Sequence, residues 1–173
     1  YLINLLKKLD DIIFVGNTLY FTEDAKRMFG EELGTEARKR IPYLHLLYKN
    51  QLEEESASVY KVEKCMVEKL NYPILIASHI KPFIKSTDDE AYDPNNGLLL
   101  SKNMDGLFDM GYISFNDDGS IIISDKLDPD LRSYLIKYNL GKEFLKDKRK
   151  TYMNYHRELF KERLGVDFPS GNW

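Results

Sequence analysis

Apolar and polar positions fall into short blocks along this chain, and the blocks change period. Leu2, Ile3, Leu5, Leu6 and Leu9 share one stripe among lysines, which predicts a short opening helix. Ile12 to Val15 and Thr18 to Phe21 are β-branched or aromatic runs around Gly16-Asn17, a pair that tolerates positive φ, so they predict a hairpin. Thr22 is the N-cap expected for a helix from Glu23 to Phe29, with Gly30 as its stop. Residues 1–35 are therefore expected to form a small helix-hairpin-helix α/β appendage. From Glu36 to about Glu55 the pattern is helical, with a kink at Pro42 and apolar positions at Tyr43, Leu46 and Leu47. This predicts a connecting helix over 36–60. His45 stands alone there and receives no role.

The pattern then changes. Pro73 to Ala77 is a continuous apolar run, suited to a buried strand, and it ends at Ser78-His79-Ile80-Lys81-Pro82. A polar loop from Lys85 to Asn96 leads to a second strand, Gly97 to Leu100. A two-turn helix follows over Met104–Met110, stopped by Gly111. Tyr112 to Phe115 and Ser120 to Ser124 flank Asn116-Asp117-Asp118-Gly119, a second hairpin. Pro129 opens a helix to about Tyr138, and a last, basic helix is expected over Lys146–Leu164. The order predicts an α+β fold.

Composition narrows the class. The chain has 173 residues, of which 43% are hydrophobic and 31% charged, enough for a packed core in about one domain. No apolar run approaches the roughly 18 residues of a membrane span, and no signal peptide is evident. One cysteine, Cys65, excludes an internal disulfide and a zinc knuckle built on cysteine pairs, and fits a reducing, intracellular setting. A start at Tyr1 points to a piece of a longer protein with further domains. The net charge of -3 does not suggest nucleic acid. Its distribution says more. Lys85 to Asp130 holds eleven acids against three lysines, and Arg132 to Arg163 holds ten bases against four acids. An acidic centre beside a basic tail fits a metal site beside a phosphate-binding surface, or simply two solvated faces.

The candidate chemistry lies around the long loop, which is an uncommon feature between two short strands unless it serves a function. His79 opens it, Asn96 closes it 17 residues on, and Asp105 follows 9 residues later, with Asp109 one helical turn beyond. Antiparallel pairing of the strands brings His79 towards Asn96, and a helix across the hairpin aims Asp105 at the same point. A neutral imidazole takes a proton from water near pH 7, and a carboxylate is the ligand that a hard divalent ion such as Mg²⁺ prefers. A base and a metal on one frame suit hydrolysis of a phosphodiester. Lys81 is a candidate phosphate contact or an exposed lysine. Arg157, on the basic helix, is another candidate phosphate contact, whereas His156 is read as packing.

Three ordered words, Ile76-Ala77-Ser78-His79-Ile80-Lys81-Pro82-Phe83, Tyr92-Asp93-Pro94-Asn95-Asn96-Gly97-Leu98-Leu99-Leu100-Ser101 and Asn103-Met104-Asp105-Gly106-Leu107-Phe108-Asp109-Met110-Gly111-Tyr112-Ile113-Ser114-Phe115, resemble the HNH endonuclease superfamily. The branch is similar to that of bacterial restriction and DNA-defence nucleases, and Tyr155-His156-Arg157-Glu158-Leu159-Phe160 resembles its closing helix. The resemblance covers about Cys65 to Phe160 and implies an HNH nuclease domain over 61–173. It implies a ββα-metal core with flanking helices, the extra β-hairpin and the N-terminal appendage around it. It gives His79 the general-base position, Asn96 the position that braces the loop, and Asp105 the position of the metal ligand. Asp109 is a ligand, a partner of the ligands or a helix ion pair. The cofactor implied is Mg²⁺ or Mn²⁺, the substrate double-stranded DNA, and the setting restriction or anti-phage defence in a bacterial or archaeal cytoplasm. Double-strand cleavage from one site per chain calls for a homodimer or for sequential nicking. Two departures stand out. Ser78 occupies the place where many relatives carry a second metal ligand, and the paired cysteines of zinc-stabilised relatives are missing. The rival reading is a DNA-binding scaffold that kept the fold and lost the chemistry. A nuclease for RNA or branched DNA is a third.

Overall fold

The computed structural model describes residues 41–166 in full and the backbone of 12–15 and 18–21. The helices predicted over 2–9 and 23–29, the turn at 16–17 and the stretch 36–40 lie outside the described residues. The chain divides into two compact units, residues 1–47 and 48–173. In the first, β1 (Ile12–Val15) pairs antiparallel with β2 (Thr18–Phe21), Ile12 facing Phe21, as the hairpin pattern predicts.

Helix α1 runs over Pro42–Tyr60. Pro42 opens it rather than kinking it, because a first-turn proline lacks only an N–H that the helix leaves unbonded anyway. The buried face is also not the expected one. Tyr48, Leu52 and Ser56 are buried at a spacing of four, whereas Leu46 and Leu47 are exposed. Ser56 Oγ accepts the Lys64 N–H at 2.9 Å and donates to the Lys64 carbonyl at 2.8 Å, which pins the next turn to the helix.

The centre of the second unit is a ββα arrangement. β3 (Leu75–His79) pairs antiparallel with β4 (Gly97–Ser101), with Leu75 opposite Ser101 and His79 opposite Gly97. The strand lies two residues later than the apolar run suggests; Pro73 and Ile74 are exposed. Backbone pairing extends β3 through Ser78 and His79, since a ladder needs amide partners rather than apolar side chains. Ser101 caps α3 over Lys102–Asp109 (helix α2 lies in the connecting segment described below), its side chain accepting the Met104 N–H, and Gly111 ends it at φ 69°. α3 packs on both strands. Leu98, Leu99, Leu100, Met104 and Phe108 are inaccessible or nearly so and form the centre of the core.

The second predicted hairpin is β5 (Ile113–Phe115) with β6 (Ile121–Ile123), Ile113 facing Ile123. Helix α4 is Pro129–Leu135. The expected last helix is two, α5 (Asp147–Leu159) and α6 (Lys161–Leu164), broken at Phe160. Gly111 explains the break's place. A Cβ there would lie about on the Phe160 ring, 2.1 Å from Cδ1, so the ring seats against the bare glycine. Fold class and hairpins thus follow the sequence reading. Among the described residues no helix is long and apolar enough to cross a membrane.

Candidate active site

The segment between β3 and β4 is folded, not open. A 3₁₀ turn (Phe83–Lys85), helix α2 (Asp88–Ala91) and a second 3₁₀ turn (Pro94–Asn96) fill it. Thr87 and Glu90 form a reciprocal cap: the Thr87 side chain accepts the Glu90 N–H, and the Glu90 carboxylate accepts the Thr87 N–H. Asp93 caps the second turn by accepting the Asn95 N–H at 2.9 Å.

Asn96 closes the segment and is fully buried. Its Oδ1 accepts the Lys81 N–H at 2.7 Å. Its Nδ2 donates to the Glu90 carbonyl at 2.9 Å and to the Lys81 carbonyl and Ser86 Oγ at 3.2 Å each. Its own carbonyl accepts the Ile80 N–H at 3.1 Å. One amide therefore ties the start of the loop to its end. The sequence reading gave Asn96 a bracing role, and these bonds fit that role; they leave the side chain no group to offer a substrate.

His79 stands at the end of β3, 8% exposed. Its Nε2 lies 2.8 Å from the Ala91 carbonyl. A carbonyl only accepts, so Nε2 carries the hydrogen and Nδ1 carries the lone pair. Tyr48 stacks on the imidazole, centroids 4.7 Å apart at 18°, and Phe83 meets it edge-on at 5.7 Å. Tautomer and ring plane are both set before any substrate arrives.

Asp105 is half-buried in the first turn of α3, where the helix dipole favours a carboxylate. Asp109 is exposed at the last residue of the same helix. Ser78, immediately before His79, is buried, and its Oγ has no hydrogen-bond partner among the described residues. No cluster of three or more His, Cys, Asp or Glu forms among the described residues. The donors are all oxygens: two carboxylates on one helix and an orphaned hydroxyl on the strand it packs against. They fit a hard divalent ion that keeps most of its waters, since Mg²⁺ binds through one or two carboxylates and does not need a full protein cage.

Two candidate phosphate contacts are already engaged. Lys81 Nζ lies 2.7 Å from Glu90 Oε2 and 5.1 Å over the Tyr155 ring. The Lys81 ammonium, with the Thr87 N–H, holds the Glu90 carboxyl below its ordinary range. Arg157 is buried; it donates to the Phe115 carbonyl at 2.6 Å and to Asp117 at 2.8 Å, and it also meets Asn154. It holds the second hairpin. His156 packs as expected, stacked on Phe108 with centroids 3.9 Å apart. Its Nε2–H donates to the Phe108 carbonyl, and Ser114 Oγ donates to Nδ1, both at 3.0 Å.

The sequence reading missed the scaffold around the loop. Arg149, 1% exposed, pairs with Glu55 at 2.7 Å and donates to the Pro94 and Phe144 carbonyls. Tyr152 donates to Asp93 at 3.0 Å, and Lys148 pairs with Asp93 at 2.7 Å. Burial pushes the Asp93 carboxyl up, but Lys148, Asn95 and Tyr152 outweigh it, so its pKa lies below the ordinary value. Tyr48 was missed as well. Its spacing to Leu52 marks it only as a core position, and nothing in the sequence ties it to His79.

Residues 65–116 match the family model described as HNH endonuclease. No curated protein matches the chain.

Proposed function

We propose that the chain is a metal-dependent endonuclease hydrolysing phosphodiester bonds of double-stranded DNA, a reading supported by the match of residues 65–116 to the family model described as HNH endonuclease. The observation that carries this reading is the His79 imidazole, held by the Ala91 carbonyl as the Nε2–H tautomer. Nδ1 then takes the proton from the attacking water, and the carbonyl partner steadies the imidazolium that forms. Asn96 keeps Ala91 and the loop in place through its bond to the Glu90 carbonyl. Asp105, with Asp109 one turn on and the Ser78 hydroxyl on the strand that α3 packs against, would hold Mg²⁺ or Mn²⁺. When bound, that ion supplies positive charge to the phosphoryl oxygen and the leaving group. Restriction or anti-phage defence is the setting suggested by the resemblance of the sequence words.

A scaffold without chemistry is the second reading, and Ser78 favours it, because a hydroxyl is a weaker ligand than a carboxylate or imidazole. Metal binding separates the two. Titrating the purified protein with Mn²⁺ should give a weak site that Asp105→Ala loses at least tenfold in affinity. Binding unchanged in Asp105→Ala would remove that residue from the metal site, and no binding by either protein would favour the scaffold.

A further inference from the structure

The general base is held on one face by a residue outside the segment that matches the family. We propose that Tyr48, on α1, is a positioning residue for His79; this rests on the reading of His79 as the base. Two contacts define the role. The phenol ring lies against the imidazole, 18° from parallel. The hydroxyl donates to the Asn96 carbonyl at 3.0 Å and lies 3.4 Å from the Ser78 carbonyl. One side chain therefore touches β3 and the residue that leads into β4, at the end where His79 sits.

Gly97 is the counterpart. It faces His79 in the register and has extended backbone, φ -148° and ψ 157°, which any residue adopts. Its glycine is therefore a matter of space. A Cβ there would lie 2.1 Å from the Tyr48 hydroxyl, 2.7 Å from Tyr48 Cζ and 2.8 Å from Leu52 Cδ1. The bare glycine admits the phenol that steadies the base. Nε2–H reaches the Ala91 carbonyl only while the imidazole keeps the plane that aims it there; the stack against Tyr48 and the edge of Phe83 hold that plane and, through it, the tautomer. Swinging the plane moves Nδ1 off the line to its water, and displacements of about 1 Å at a reacting atom cost about 10²-fold in rate.

The test uses Tyr48→Phe, which keeps the ring, Tyr48→Leu, which keeps only burial, and Gly97→Ala, which forces the ring aside. Two readouts are taken. One is the tautomer of His79, from long-range ¹H–¹⁵N correlation at a pH where the imidazole is neutral; the chain has three histidines, and a His79→Ala spectrum assigns the peaks. The other is steady-state DNA cleavage. The wild-type protein and Tyr48→Phe should show a single Nε2–H tautomer. Tyr48→Leu and Gly97→Ala should show mixed tautomers, with kcat down about 10- to 100-fold and KM within about twofold. If circular dichroism shows Tyr48→Leu unfolded, Gly97→Ala carries the test in its place. An unaltered tautomer and kcat in the folded variants would overturn the proposal, as would a wild-type His79 without a defined tautomer. If no protein cleaves, the nuclease reading fails, while the tautomer still decides the positioning.

Discussion

Asn96 commits every polar atom of its side chain to the loop that it closes. Asn96→Ala leaves two carbonyls, an amide N–H and a hydroxyl to find other partners, at a cost of about 3 kcal/mol or more. Urea denaturation should show that loss, and cleavage should fall with it; an unchanged midpoint would mean that the loop holds itself. His79 and Asn96 were legible because each ends a recognisable word, and the strand register follows from those words. The two cations were less legible. A sequence shows that Lys81 and Arg157 are charged but not that Glu90 and Asp117 already neutralise them. Arg157→Met is therefore expected to lower stability by about 2 kcal/mol, chiefly because the buried Phe115 carbonyl loses its donor, while leaving the salt dependence of DNA binding unaltered. A shallower salt slope with unchanged stability would restore Arg157 as a phosphate contact.

At the scale of elements, turn chemistry carried the reading furthest. Gly119, at φ 88°, and Gly111 mark the second hairpin and the end of α3 where the pattern put them. The pattern failed where tertiary contacts decide. Pro42 can kink a helix or open one, and the local sequence does not distinguish them. The basic run 146–164 has no proline, so its break at Phe160 follows from packing against Gly111, a contact 49 positions away in the chain. The joint between α5, α3 and β5 also has a chemical signature. Burial, against the favourable Phe108 carbonyl and with a small push from Arg157, lowers the His156 pKa to about 3 from its ordinary 6.5. The unfolded chain then binds a proton that the folded one refuses. This contribution is complete above pH 6.5 and is lost as pH falls towards 3, at about 1.4 kcal/mol per pH unit. The Glu55 and Asp93 carboxyls, both held below their ordinary values, act only at lower pH. Urea midpoints between pH 7.5 and 5 should therefore fall in the wild-type protein and stay level in His156→Gln. A fall of equal slope in both would place the effect elsewhere.

For the whole molecule, part of the basic tail pairs with acids of α1 and of the acidic centre. Arg149 and Lys146 meet Glu55, Lys148 meets Asp93 and Arg157 meets Asp117, each across different elements. Four of the tail's ten bases thus brace α1, the loop and the second hairpin. The charge count in the sequence carried no such information, because pairing depends on the fold. What remains is a compact frame around one oriented imidazole and a helix bearing two carboxylates. The most direct measurement is cleavage of supercoiled plasmid at low salt by the purified protein and by His79→Ala, each in Mg²⁺, Mn²⁺ and EDTA. Nicking or linearisation is expected with either metal, none in EDTA, and a loss of at least about 10²-fold in His79→Ala. Cleavage that persists in EDTA or in His79→Ala would contradict that expectation, as would intact plasmid under every condition.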